Sequence, residues 1–334
     1  MAKIRVGING FGRIGRVLFR QGFKDVDIVG VNSLDSLEGS AHLLKFDSTH
    51  GRFPEDIHVE GSSLVVGGKK VNYSSFKNPT EIPWKNWNVD VVLECTGAMK
   101  GKEDYSKHIQ AGAKKVFISA PADQVDETFV FGINHENYRP QQHTFFSNAS
   151  CTTNCLAPLA AVLHKNFGIE HGLMTTIHSY TNDQRILDAS HKDLRRARSA
   201  ALSMIPTTTG AAKTVGLVLP ELKGKIDGIS IRVPTPNVSL VDLTFRSTKP
   251  MTLADIHKAL DEAAQSFLKG VLAVEKRPLV STDFNGDHFS CTVDASSTML
   301  ISPHMAKVFA WYDNETGFSC RMIDMIKHME KVGI

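Results

Sequence analysis

At 334 residues, with 42% hydrophobic and 22% charged side chains, the chain has the composition of an ordinary globular protein and length enough for two domains. A formal net charge of +3 is too small to argue for a nucleic-acid or membrane-surface partner. Five scattered cysteines (Cys95, Cys151, Cys155, Cys291, Cys320) make neither a disulfide framework nor a paired metal pattern, and no apolar run reaches transmembrane length.

The opening Met-Ala-Lys-Ile-Arg-Val runs straight into a strand and leaves no room for a signal peptide, so a reducing cytoplasm is the expected setting. Residues 3–8 read as a buried strand. The turn Asn9-Gly10-Phe11-Gly12-Arg13-Ile14-Gly15-Arg16 follows, and then the apolar start of a helix. This is a GxGxxG turn in the strand-to-helix context of a dinucleotide site. Gly10 permits the tight turn, Gly12 the approach of a pyrophosphate, and Gly15 close helix–strand packing. Gly10, Phe11, Gly12, Arg13 and Ile14 are therefore read as cofactor-binding, with the pyrophosphate on the helix N-terminus. A second strand, 27–32, ends at Asn32-Ser33, where an acidic residue usually holds the adenosine ribose.

Further strands are expected at 64–66, 89–95, 116–119 and 144–146, with helices at 37–46 and 103–111. Such alternation implies an α/β domain with a doubly wound, mainly parallel sheet. Thr96, Gly97 and Ser119 fall at carboxyl ends of its strands, where cofactors bind, although small polar residues there also serve as plain turn chemistry.

The stretch Asn148-Ala149-Ser150-Cys151-Thr152-Thr153-Asn154-Cys155 reads as the opening of a helix, with Leu156, Leu159, Val162 and Leu163 at helical spacing behind it. Ser150 or Asn148 can supply a capping oxygen, and Pro158 is expected to bend the helix. A free cysteine is most often a small buried hydrophobe. At a helix N-terminus, however, unpaired N–H groups and the dipole favour thiolate, which makes Cys151 a candidate nucleophile. His178, on a strand expected at 172–180, is a candidate base. On the strand 226–233, Ile229, Ile231 and Val233 are expected on the core side, with Arg232 projecting into solvent or toward an anion. The basic segment 181–210, with Arg185, Arg195, Arg196 and Arg198, reads as a solvated loop or as parts of a phosphate site. Strands at 238–245 and 307–312 and a helix at 252–268, opened by a Thr252/Asp255 capping box, complete a strand-rich second half.

The glycine turn at 9–16, ASCTTNCLAP at 149–158, HSYTNDQR from His178, TTTGAAK at 207–213 and WYDNETG at 311–317 together resemble the phosphorylating glyceraldehyde-3-phosphate dehydrogenases. The likeness covers essentially the whole chain in order and is of the bacterial type. It implies a Rossmann domain over 1–149 and an α+β catalytic domain over 150–315 with a mixed or antiparallel sheet. A terminal helix, 316–334, returns to the first domain, and the subunits form a homotetramer. It further implies attack of Cys151 on an aldehyde with His178 as base and ion-pair partner, and orientation of the nicotinamide by Asn314. Phosphorolysis of the resulting thioester by inorganic phosphate would follow. One anion site would use Thr181 and Arg232. The other would use Ser150, Thr152, Thr209, Gly210 and Arg198. No metal is implied, and no nucleic-acid or membrane partner.

The chain departs from the family's usual NAD pattern at two places. Ser33 stands where an Asp generally follows the strand's Asn, and Ala189-Ser190 where Leu-Pro is common. Both resemble the NADP-using plastid enzymes, in which a serine at the Ser190 position reaches the 2′-phosphate from a neighbouring subunit. NADP is therefore expected as a cofactor alongside NAD. The alternatives are the sister enzyme acting on erythrose 4-phosphate and a non-enzymatic protein that binds RNA or a dinucleotide in the same groove.

Overall fold

The computed structural model describes residues 3–334; Met1 and Ala2, part of the signal-peptide argument, lie outside it. The chain forms two units. One comprises residues 3–129, 134–150 and 319–334, and the other residues 130–133 and 151–318.

In the first unit the strand Arg5–Asn9 lies between Asp27–Asn32 and Val91–Glu94, parallel to both. Beyond Val91–Glu94 come Lys115–Ile118, Phe145–Ser147 and Glu127–Thr128, all parallel. On the other side Lys69–Ser74 pairs in parallel with Asp27–Asn32, and an antiparallel ribbon of Ser63–Val66 and Ile57–Glu60 closes the edge. The central strands read as apolar runs because both faces are covered: Val6, Ile8, Val31, Val91, Val92 and Leu93 are fully buried. Strand order reverses beside Arg5–Asn9, so its carboxyl end opens the crevice where a doubly wound sheet takes its ligand. The unit includes most of the last helix, Thr316–Val332: Glu330 accepts from Ile4 N–H at 3.0 Å, and a Cβ on Gly22 would strike Ile323 at 2.6 Å.

The second unit is a seven-stranded mixed sheet in the order 205–208, 226–233, 169–179, 239–247, 305–312, 291–302, 272–275. Its central pairings are antiparallel except between 169–179 and 226–233. The helices Cys151–Phe167, Ala211–Val218 and Leu253–Gln265 bring apolar faces that include Leu156, Leu159, Val215 and Leu260. Pro158 lies inside the first of these helices, which runs on past it. The Thr252 hydroxyl and the Asp255 carboxylate form the expected reciprocal cap. Strands 205–208, 272–275 and 291–302 escaped the sequence reading, as did 57–60, 69–74 and 127–128 in the first unit. Strand 205–208 is interrupted by Pro206, and 291–302 passes through a Ser-Ser-Thr stretch that blurs the alternation.

The expected facing of 226–233 is reversed. Ser230 is 2% exposed while Ile229 is 50% exposed, so the covered side carries Ser230 and Arg232. Helical cover on one side of the sheet decides this, and apolar residues on the other side are left open.

Candidate active site

At the crevice of the first unit, Gly10 has φ 92°, and a Cβ there would lie 2.7 Å from Thr96 N. Gly15 is closed against Gly10 O, where a Cβ would sit 2.1 Å away. Gly12 faces open space, with no atom within 4 Å of a built Cβ, and it stands at the N-cap of the helix Arg13–Gly22. Backbone N–H groups with room in front of them are what a pyrophosphate needs, so the turn fits a dinucleotide. Phe11 is buried beneath the turn, and Arg13 is ion-paired with Asp47. Asn32 is buried: it donates to Asn9 Oδ1 at 2.8 Å and accepts from Ser74 and Phe76, holding the end of its strand. Ser33 is only 6% exposed, and its hydroxyl donates to the Asp35 carboxylate at 3.3 Å. A carboxylate thus stands close to the place the sequence left without one. Thr96 and Gly97 are exposed at the end of their strand, Gly97 with φ 66°, and Ser119 is half-buried.

In the second unit Cys151 is the first residue of its helix, and its sulfur receives backbone N–H groups of Cys151 and Thr152. Its Sγ lies 3.4 Å from His178 Nε2. His178 Nδ1 lies 2.7 Å from Ser179 O and 3.1 Å from Arg232 Nη1; with its proton on Nδ1 and directed at that carbonyl, the ring turns the Nε2 lone pair toward the thiol. Arg232 Nη1 donates to the same carbonyl at 3.1 Å and to Thr181 Oγ1 at 3.4 Å, fixing a guanidinium beside the pair.

Burial pushes the His178 pKa down to about 3, with Arg232 adding to the effect, and burial also raises that of the Cys151 thiol. Each group alone is driven toward its neutral form, whereas the resemblance implied an ion pair. Arg232 is the counterweight, since its charge lowers the thiol's pKa. The thiol proton has His178 Nε2 within reach. Shifting that proton to Nε2 exposes thiolate beside a cation.

Supporting contacts run behind this pair. The Tyr312 hydroxyl lies 2.9 Å from Thr152 Oγ1 and 2.8 Å from Thr176 Oγ1, and its ring meets His178 edge-on. The Thr152 side chain is thus buried and engaged. Asn314 Oδ1 accepts from Ser179 and Ser239 hydroxyls, both at 2.9 Å, which turns its NH2 to the opposite side. Asp313 accepts from Glu315 N and Thr316 N and from Asn237, tying down the turn that carries Asn314. Val238 has φ 66°, a strained conformation for a β-branched residue, and stands between Asn237 and Ser239 in this network. Ser150 and Thr209 are half-buried, and Gly210 caps the helix Ala211–Val218.

Two residues of the basic segment were read differently from the sequence. Arg198 is 66% exposed and pairs with Asp188. Arg196 is only 18% exposed, donates to Thr207 Oγ1 at 3.0 Å, pairs with Asp183, and is the arginine whose charge is felt at both His178 and Arg232. Nothing in RRAR distinguishes the two, because loop geometry alone aims them. Ser190 is exposed in the same loop, its carbonyl accepting from Arg185. No group of three or more metal-ligating side chains occurs among the described residues, and none of their helices is long and apolar enough to cross a membrane.

A glycine turn opening a doubly wound sheet, together with a thiol 3.4 Å from an imidazole nitrogen, is the equipment of an NAD-dependent oxidoreductase. The comparisons with known proteins place it more narrowly. Residues 4–102 match the NAD-binding domain of glyceraldehyde 3-phosphate dehydrogenase and residues 150–314 its C-terminal domain. The chain is 55% identical over 333 residues to the glyceraldehyde-3-phosphate dehydrogenase of Geobacillus stearothermophilus, covering 99% of each chain. It is 52% identical to enzyme 1 of that name from Bacillus subtilis and 51% identical to that of Xanthobacter flavus, with 99% of each chain covered in both cases. The chain belongs to the glyceraldehyde-3-phosphate dehydrogenase family.

Proposed function

We propose that the protein oxidises D-glyceraldehyde 3-phosphate with inorganic phosphate to 1,3-bisphosphoglycerate, through a covalent intermediate on Cys151. The observation that carries this is the 3.4 Å approach of Cys151 Sγ to His178 Nε2, with the ring's other nitrogen 2.7 Å from Ser179 O. Cys151 loses its proton to Nε2 and attacks the aldehyde carbon, and Nε2–H returns that proton to the resulting alkoxide, giving a hemithioacetal. Nε2 then removes the hydroxyl proton as the carbonyl reforms, and Cys151 N–H donates to the developing oxyanion. The oxidised nicotinamide, when bound, supplies the hydride acceptor, and the outward NH2 of Asn314 suits its carboxamide. Phosphate cleaves the thioester and regenerates the thiol. Arg232 with Thr181 makes one anion site. Ser150, Thr209 and Gly210 belong to the other, and Arg196, rather than Arg198, lies where its charge can be shared between them. Thr152 serves this site through Tyr312.

The test is phosphate-dependent reduction of NAD with each sugar phosphate. Faster turnover on erythrose 4-phosphate, or cofactor binding with no aldehyde-dependent reduction, would overturn the reading. A thiol nucleophile fits a reducing cytoplasm, the setting proposed for it.

We infer that NADP is accepted alongside NAD, because position 33 lacks the carboxylate that would repel a 2′-phosphate. The Ser33 hydroxyl must turn from Asp35 to reach it. Ser33→Asp is expected to lower kcat/KM for NADP more than for NAD by about 1–3 kcal/mol, the scale of one contact to a charged group. Equal losses with both cofactors, or no NADP activity in the parent, would count against it.

A homotetramer is proposed on the uncovered side of the second unit's sheet, where Leu173 is 71% exposed and Ile229 50% exposed, with Ile301 at 80% on the same unit. Patches of this kind on a folded protein mark association. The occupant is a second copy of the chain. Sedimentation should show four times 36.7 kDa, and Leu173→Asp should shift the mass downward. A monomeric parent would exclude the assembly.

A further inference from the structure

A buried polar chain that the mechanism does not use crosses the carboxyl ends of the first unit's strands. At its centre is Glu94, the last residue of Val91–Glu94 and only 2% exposed. Its Oε1 accepts from Thr96 N at 2.8 Å and from the Thr96 hydroxyl, and its Oε2 accepts from Asn9 Nδ2 at 2.7 Å. His108, fully buried, lies with Nε2 3.1 Å from the same oxygen, and its Nδ1 lies 3.0 Å from Trp84 Nε1.

Asn9 Nδ2 is also 3.5 Å from His108 Nε2, but its shorter contact, 2.7 Å, is to Glu94 Oε2. An indole N–H can only donate, so His108 Nδ1 must accept, and the ring's single proton sits on Nε2 and points at Glu94. A doubly protonated ring would set two N–H groups against each other. Every neighbour of the Glu94 carboxyl is then a donor, which leaves no place for a carboxylic proton. Glu94 is thus a buried acceptor with donors on both carboxyl oxygens.

Its place in the sheet gives this charge a use. Arg5–Asn9 divides the crevice: Asp27–Asn32 serves the adenosine half, and Val91–Glu94, on the other flank, begins the nicotinamide half. Glu94 also fixes the exposed Thr96–Gly97 turn on that side, against which Gly10 packs.

We propose that Glu94 is a positioning residue that sets the cofactor's redox preference. It locks the Thr96 turn and sets a buried carboxylate on the nicotinamide side of the crevice, favouring the cationic oxidised ring over the neutral reduced one. Oxidised and reduced cofactor share the same pyrophosphate, riboses and adenine. The ratio of their affinities therefore isolates the charge from the scaffold. The assignment depends on the first unit's binding NAD and not on which aldehyde is oxidised.

The experiment is calorimetric titration of the full-length protein with NAD and, separately, NADH. Glu94→Gln keeps the shape and removes the charge. It is expected to lower the ratio of NAD to NADH affinity about fivefold, as loss of one partly screened charge contact would. Glu94→Asp keeps the charge but withdraws it from Thr96, so it should weaken both ligands and leave the ratio unchanged. Equal loss of both affinities in Glu94→Gln would overturn the proposal and leave Glu94 as scaffold only. If that variant does not fold, the wild type decides: tighter binding of NAD than of NADH supports the proposal, and the reverse order overturns it. Absence of binding by either ligand in the wild type would instead refute the cofactor assignment.

Discussion

Cys151→Ser is expected to lose aldehyde oxidation by roughly three orders of magnitude or more, because His178 cannot deprotonate an alcohol as it does a thiol. Substrate and cofactor should still bind, since the serine hydroxyl fits the space and leaves the anion sites intact. Cys155→Ala is the control. Cys155 is fully buried one turn further along the helix, with its sulfur 3.8 Å from Ala310 O. Its truncation should cost about 1 kcal/mol of stability from the small cavity and leave turnover near normal. Single-turnover reduction of NAD, measured beside thermal unfolding, checks both expectations. If Cys155→Ala proves as damaging to turnover as Cys151→Ser, the nucleophile has been misassigned.

The second large effect is expected of His178→Asn, with turnover falling by about two to four orders of magnitude, the range of a positioned acid–base group. The pH dependence has a defined sign. Burial and Arg232 hold the His178 pKa down at about 3, so the ring is an unprotonated acceptor through the neutral range. Burial raises the Cys151 pKa, so thiolate forms mainly by transfer to that acceptor. With the acceptor gone, Cys151 must lose its proton to solvent against the cost of burial. Its alkylation should then require a higher pH than in the parent. Iodoacetamide inactivation followed from acid to alkaline pH reads this directly. A profile that does not move on substitution would show that the contact is not a proton path. Arg232→Ala should move the wild-type profile upward as well, because Arg232 is the cation that lowers the thiol's pKa.

Much of this site was legible in the primary structure wherever the determining interactions are local. Gly10, Gly12 and Gly15 state their backbone requirements within one turn, and the structure shows a positive φ, an open front and a closed back at those three positions. Cys151 announces itself by standing first in an apolar-periodic helix, and Thr252 with Asp255 spell a cap over four residues. Val238 gave no such signal. A strained β-branched residue is held by surroundings that lie far off in sequence, here the Asn237–Asp313 contact.

By itself, then, the sequence determined the alternation of the central strands and helices in the first half, the glycine turn, and the positions of the candidate nucleophile and its candidate base. Each depends on neighbours a few residues away. Only the tertiary structure decided that Arg196 is covered while Arg198 is exposed, and that Ser230 and Arg232 face inward while Ile229 faces out. It alone gathered Asn9, Glu94, Thr96, His108 and Trp84 around one buried carboxylate. The physical reason is common to all of these. A strand's alternation defines two faces but not which one a helix will cover. A long side chain's direction follows from the charges and carbonyls that folding brings within reach.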